Sequence, residues 1–225
     1  MSVTKLDIKT NELYDCSISY LKELFENNEY PWQILPKIKE IIEFHLKNGL
    51  EGYHQYSDNV LIGDNVSIAK TATIVGPAII GHNVEIRPGA YIRSNVIIGD
   101  NSVIGNSTEL KNAILLQRVQ VPHYNYVGDS ILGNHSHMGA GSICSNLRSD
   151  NKAVVIHADK DYSTGLRKVG AFIGDNADIG CGSVLNPGTV IGKNTQVYPL
   201  TMTRGTYPSN SIVKDSKTYC LKKEF

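Results

Sequence analysis

A parallel β-helix built of hexapeptides, preceded by a short helical segment, is the fold this sequence predicts. Three observations carry that prediction. From Ile62 an aliphatic residue returns at every sixth position, through Ile68, Ile74, Ile80, Ile86, Ile92, Ile98, Ile104, Leu110 and Leu116. Glycine often follows directly, as in Ile62-Gly63, Ile80-Gly81, Ile98-Gly99 and Ile104-Gly105. Upstream, the apolar residues Ile34, Leu35, Ile38, Ile41 and Ile42 have helical spacing instead. A period of six is neither the 3.6 of a helix nor the 2 of a lone strand; it marks a solenoid of stacked short strands. Each hexapeptide supplies one inward aliphatic side chain, and small residues such as Gly-Asp-Asn or Pro-Gly turn the corner. Three hexapeptides close one triangular coil, as in the left-handed members of this class, so residues eighteen apart stack on one face.

Residues 1–58 are the helical segment. Pro36 fits only the first turn of a helix. Glu43 and Lys47 are spaced for an i, i+4 pair, and Asn48-Gly49 supplies a stop. The segment is too short for a catalytic core. It is expected to cap the open end of the β-helix, with Trp32 and its aromatic neighbours packed inside it. Residues 59–205 are the β-helix. Its phase is expected to break at Pro122-His123-Tyr124-Asn125-Tyr126 and to resume at Leu132-Gly133 and Met138-Gly139. It returns at Ile173, Ile179, Leu185, Ile191 and Val197. Residues 147–168 match neither frame and read as an excursion, the kind of place where binding loops live. Residues 206–225 read as a polar tail.

Composition narrows the function. The 225 residues suffice for one sizeable domain with an appendage. Lys+Arg and Asp+Glu are 22 each, which argues against a nucleic-acid partner, since polyanion affinity needs a cationic surface. No apolar run is long enough to span a membrane, and the opening MSVTKLDIKTNELYD has no secretory apolar core, so a cytoplasmic location is expected. The four cysteines, at 16, 144, 181 and 220, form no CxxC pair, which argues against a disulfide framework or zinc knot. Cys144 and Cys181 read as small packing residues.

Residues 85–146 carry the chemistry. In order they give Ile86-Arg87-Pro88-Gly89-Ala90, Glu109-Leu110-Lys111, His123-Tyr124-Asn125-Tyr126-Val127-Gly128-Asp129, Met138-Gly139-Ala140-Gly141 and Asn146. This series resembles the C-terminal acetyltransferase domain of the bifunctional glucosamine-1-phosphate acetyltransferase / N-acetylglucosamine-1-phosphate uridylyltransferase. Related stand-alone chains are labelled UDP-N-acetylglucosamine pyrophosphorylase-like and belong to cell-envelope precursor chemistry. The resemblance covers residues 60–200. It implies a homotrimeric left-handed β-helix that uses acetyl-CoA, with sites between subunits. It implies His123 as general base, Glu109 as its acidic support and Asn146 beside the reacting amine. It further implies Lys111, Tyr126 and an Arg as sugar-phosphate ligands, and Ala140, Cys181 and Pro199 as backbone contacts to CoA.

The residue types suit that chemistry. An amine attacks a thioester only as the free base, and a neutral His takes its proton. A carboxylate on the other ring nitrogen would fix the tautomer. Arg87 matches the phosphate-binding Arg by motif, but it lies twenty-four residues before Lys111, one hexapeptide more than in the family. Eighteen-residue stacking favours Arg93. The family's sugar-binding Asn is His137 here, and the Tyr after the reactive Asn is Leu147. Both changes predict an acceptor other than plain glucosamine 1-phosphate.

Two other readings stand beside this one. His135-x-His137 invites an intersubunit zinc site, but the two imidazoles need not converge on one ion, and no metal is predicted. A non-catalytic sugar-nucleotide-binding or assembly module, working beside a separate nucleotidyltransferase, is the remaining alternative. The sequence shows neither a nucleotidyltransferase domain nor its Gly-rich loop. Against such a module, Glu109, Lys111, His123, Tyr126 and Asn146 are all present together.

Overall fold

Aliphatic side chains that recur every six residues share one interior only if the chain coils around them. The computed structural model, which describes residues 6–222, shows that coil. Val60–Ile62, Ala78–Ile80 and Val96–Ile98 stack as parallel strands, eighteen residues apart. The stack continues through residues 113–115, 130–132, 171–173, 189–191 and 206–207. This is the first of three faces of a left-handed parallel β-helix of about 9 turns. The second face runs from Ser67–Ile68 through Glu85–Ile86, Val103–Asn106, Gln120–His123 and His137–Met138 to Ser211–Val213. The third runs from Thr73–Ile74 through Tyr91–Ile92, residues 109–111 and 126–128, and Ile143–Cys144 to Met202–Thr203.

Apart from the excursion the six-residue phase slips three times, once late, where Thr203 is followed four residues on by inward Tyr207, and twice nearer the middle. From Leu110 to the next inward residue, and again from Val127, the step is five. Leu115 faces the interior, whereas Leu116, which continues the count of six, faces outward. The pairing register shows the same slip, with Ile92 opposite Leu110 but Val96 opposite Ala113. The two middle corners so shortened are Asn112 and Asp129, at φ 49° and 48°. The expected break at residues 122–126 is absent. Val121 and Val127 both face the interior, and Asn125 occupies the small inward seat between them. Coiling also runs past residue 205: Ser211–Val213 pairs with Gln196–Val197, and Tyr219–Leu221 folds back antiparallel on it.

The helical segment lies along the first face rather than over an open end. Its two longer helices are Ser19–Glu26 and Ile38–Asn48; Pro36 lies in the 3-10 turn just before the second, and Gly49 at φ 82° ends it. The ion pair on that helix is Lys39–Glu43 at 3.4 Å rather than Glu43–Lys47. In the first-face strands from Val60–Ile62 to Thr189–Ile191 the middle residue points outward, and it is apolar in every one. Apolar residues on the outward side as well as the inward mark a sheet covered on both sides. Ile79, Ile97, Ile114 and Phe172 therefore join Leu21, Trp32, Ile38 and Ile42 in one buried layer. Trp32 is 4% exposed, its ring centroid 6.1 Å from that of Phe172. Residues 147–168 leave the coil after Asn146 and form a hairpin, Val155–His157 with Asp161–Ser163, whose Ile156 joins the same layer. The first face is thus closed to solvent, and chemistry is left to the other two. Among the described residues no helix is long and apolar enough to cross a membrane.

Candidate active site

The third face carries a connected polar cluster. Pairing sets Tyr91, Glu109 and Tyr126 in one outward file. Two residues further along, Arg93 lies above Lys111, as eighteen-residue stacking requires. Arg93 Nη1 donates to Glu109 Oε1 at 2.8 Å. Lys111 Nζ donates to both carboxylate oxygens of Asp129 at 3.1 Å. Asn112 Nδ2 donates to Asp129 Oδ1 at 2.9 Å, and Asn146 Nδ2 donates to Asp129 Oδ2. Asn146 Nδ2 also donates to Tyr126 Oη at 3.1 Å.

Asp129 is the hub, and reasoning from sequence missed it as a site residue. Its carboxylate is 4% exposed. A buried charge is tolerable only when paired and hydrogen-bonded, and here one cation and two amides do both. Because the coil is short by one residue at Asn112 and at Asp129, the side chains of successive coils converge there. Burial, then the Asp129 and Glu109 carboxylates, raise the Tyr126 phenol above its ordinary range, so it stays protonated at neutral pH.

His123 ends the strand Gln120–His123 at the corner between the second and third faces, exposed to solvent. Among the described residues its imidazole has no hydrogen-bond partner. Glu109 is not brought to it; Arg93 holds that carboxylate instead. The corner is set by buried Asn125, whose Oδ1 accepts the His123 backbone N–H at 3.1 Å. Its amide donates to the Gly139 carbonyl at 2.8 Å. An Asn in the small inward seat was the available signal.

Backbone hydrogen bonds place Ala140, Cys181 and Pro199 in one column beneath His123. Gly141 N–H donates to His123 O, Gly182 N–H to Ala140 O and Leu200 N–H to Cys181 O, at 3.0, 2.8 and 2.8 Å. Coils touch backbone to backbone here. A Cβ on Gly139 would lie 2.6 Å from Cys181 N. Beside the column, Gly141 and Gly182 take positive φ, and a Cβ on Gly182 would lie 2.8 Å from Leu200 Cδ2. A Cβ on Gly141 would meet nothing within 4 Å.

Two sequence-predicted residues stay apart from this cluster in a single chain. Arg87 forks onto Glu85 at 3.0 and 3.2 Å on the second face. His137 is also on the second face, its Nδ1 2.8 Å from Asp178 Oδ1. Among the described residues no three His, Cys, Asp or Glu side chains gather as a metal site would need.

The chain is similar to known acetyltransferases. A family model described as the GMPPB C-terminal domain matches residues 74–160. The bifunctional protein GlmU of Methanococcus aeolicus is 38% identical over 116 residues, which are 52% of this chain and 26% of that protein. The chain thus spans about a quarter of that relative's length. The uncharacterized acetyltransferase YaiX of Escherichia coli O6:K15:H31 is 32% identical over 208 residues, 86% of this chain and 87% of that protein. Among solved structures, a mutant of AntD, an N-acyltransferase from Bacillus cereus in complex with dTDP and coenzyme A, superposes with a TM-score of 0.39 at 16% identity. That match covers 78% of this chain and 92% of AntD.

Proposed function

The chain belongs to the hexapeptide-repeat acetyltransferases, and we propose that its acceptor is the amino group of a phosphorylated or nucleotide-linked amino sugar. One observation carries the proposal. The polar cluster from Arg93 to Asn146 lies on the face that His123 borders, and the backbone column of Ala140, Cys181 and Pro199 descends from the same corner.

Acetyl-CoA supplies the acetyl thioester. Its thin pantetheine arm fits along the backbone edge that Ala140, Cys181 and Pro199 present, beside the open space at Gly141. An extended chain pairs with such an edge as a strand would. His123 then takes the proton from the attacking nitrogen as the carbon–nitrogen bond forms, and returns it to the departing sulfur. Asn146 spends both amide protons on Asp129 and Tyr126. Its carbonyl oxygen remains as an acceptor and orients the amine N–H. Arg93 and Lys111 keep unused N–H donors beyond their carboxylate bonds, and these hold the acceptor's phosphate.

A homotrimer completes the site. The third face is open in one chain, and in a rotationally symmetric trimer the second face of a neighbour closes it, bringing His137 opposite the cluster. Light scattering should give a mass near three times 24.7 kDa; a monomer at micromolar concentration would remove the shared site. The transfer itself is tested by incubating the protein with acetyl-CoA and amino sugar phosphates, then locating the acetyl group by mass spectrometry. Acetylation on nitrogen is expected, and acetylation on oxygen alone would overturn the proposal.

A further inference from the structure

The excursion builds a second cavity beside the cluster. We infer that this cavity binds the nucleoside diphosphate portion of the acceptor, making the substrate a sugar nucleotide rather than a sugar monophosphate. The inference narrows the acceptor proposed above and rests on that reading for the sugar; the nucleotide binding does not depend on it.

The cavity, of about 500 Å³, lies between the hairpin excursion and the lower third face. That volume falls in the range of small-molecule sites, roughly 300–1,000 Å³. Ser145 and Leu147 line it and flank Asn146, so it opens one residue from the Tyr126–Asn146 hydrogen bond. Its charge is cationic. Arg148 and Arg204 face a single carboxylate, Asp150, which Arg148 already grips at 2.9 and 2.7 Å. Arg204 is exposed and has no carboxylate partner among the described residues. Both cations of the cluster are paired: Arg93 with Glu109 and Lys111 with Asp129. Of the arginines and lysines of cluster and cavity, Arg204 is thus the one without a carboxylate partner among the described residues.

Its walls add a second requirement. Leu147 and Met202, 39% and 51% exposed, present apolar surface next to Arg204. An inorganic phosphate or a sugar phosphate would satisfy the arginine and leave that surface wet. A nucleoside diphosphate satisfies both, with its nucleoside-side phosphate on Arg204, its sugar-side phosphate left to the donors of Arg93 and Lys111, and the flat base against Leu147 and Met202. Two molecules carry that chemistry, the nucleotide-linked sugar and the ADP portion of CoA. The position beside Asn146, on the far side of the third face from the Ala140–Cys181–Pro199 column, favours the sugar nucleotide.

Calorimetric titration of the full chain with UDP, dTDP, GDP and CoA separates the sources. At least one of the three diphosphates should bind, and Arg204→Ala should weaken it roughly 10- to 150-fold, the loss expected for a hydrogen bond to a charged group. Arg204→Lys should recover part of the loss. CoA affinity should not change in either variant. Arg118→Asn, a charge loss at a different corner, should leave every ligand unaffected. No binding of any diphosphate, or unchanged binding in Arg204→Ala, would overturn the inference. Weakened CoA binding in Arg204→Ala would overturn it by giving the cavity to ADP. Diphosphate binding without acetyl transfer to any amino sugar would leave the inference standing and remove the catalytic proposal; transfer to sugar monophosphates without diphosphate binding would do the reverse.

Discussion

The corner that leads from the first face to the second, and the corner that leads from the third back to the first, make the same left-handed backbone turn with different consequences. At the first, Asn65, Asn83, Asn101, Asn176, Asn194 and Asn210 sit at φ between 55° and 59°. Asn tolerates that region better than other non-glycine residues. Their amides form ladders, Asn65 to Asn83 at 3.2 Å and Asn176 to Asn194 to Asn210 at 3.1 and 3.0 Å. At the second, Asn95, Asn112 and Asp129 make the turn, and two coils are shorter by one residue. There the amides of Asn112 and Asn146 converge on one buried carboxylate instead of on each other. A corner that repeats serves stacking alone. A corner that contracts gathers unlike side chains and orients Lys111 and Asn146 toward one face.

The comparison breaks most sharply at His123, on the remaining corner. His123→Ala should lower turnover by roughly 10²–10⁴-fold, the usual loss for a general base. Its melting temperature should stay within error of wild type, since the imidazole is exposed and has no partner. Retained activity would make His123 a plain corner residue.

Asp129→Ala comes next. It leaves Lys111, which is 20% exposed, without its carboxylate. Breaking a buried pair costs about 3–5 kcal/mol, and partial exposure of the lysine reduces that to about 2–3 kcal/mol. Thermal melts should drop by about 5–10 °C, and the acceptor KM should rise. Asn83→Ala on the ladder corner should cost only about 1 kcal/mol and leave kinetics alone. Equal losses of stability, with activity intact in both, would erase the distinction between the corners.

Lys111→Ala and Arg93→Ala sharpen it further. Each should raise the acceptor KM roughly 10-fold with little change in kcat, because a remote phosphate is held equally in ground and transition states. Arg87→Ala should change neither. An effect in Arg87→Ala alone would place the phosphate on the second face.

The smallest effect concerns thiols. Burial pushes the Cys16 thiol to about 11 and that of Cys144 to about 12. Both stay protonated and unreactive at pH 8. Iodoacetamide should label the exposed Cys181 and Cys220 alone. CoA should slow labelling at Cys181 only. Equal protection of both cysteines would place CoA elsewhere.

Much of the coil was legible because an inward aliphatic residue must return once per side. Its neighbours carried the rest of the information. The outward residues Ile79, Ile97 and Ile114 put the helical segment along a face, yet they belong to no six-residue count. Leu115 and Leu116 are both aliphatic, so counting by six runs on through Leu116 and hides the slip that places Asp129. Motif resemblance named Glu109 but not its partner, because the nearest cation in space, Arg93, is one coil away. Stacking arithmetic put Arg93, not Arg87, on the face of Lys111, and the pairing register has them there, since the arithmetic uses the fold rather than the motif.

The most direct test is an acceptor panel read by thiol release from acetyl-CoA, run with wild-type protein and His123→Ala. It should include glucosamine 1-phosphate, deoxy amino sugars and their nucleotide-linked forms. Leu147 offers apolar surface where the family places a hydroxyl, and His137 offers one donor and one acceptor where an amide offers more. A modified, nucleotide-linked amino sugar should be the best acceptor, by roughly 5- to 150-fold over glucosamine 1-phosphate, the worth of one well-placed hydrogen bond. Its turnover should collapse in His123→Ala. Thiol release from no amino sugar at all, or full turnover of the best acceptor by His123→Ala, would contradict the account.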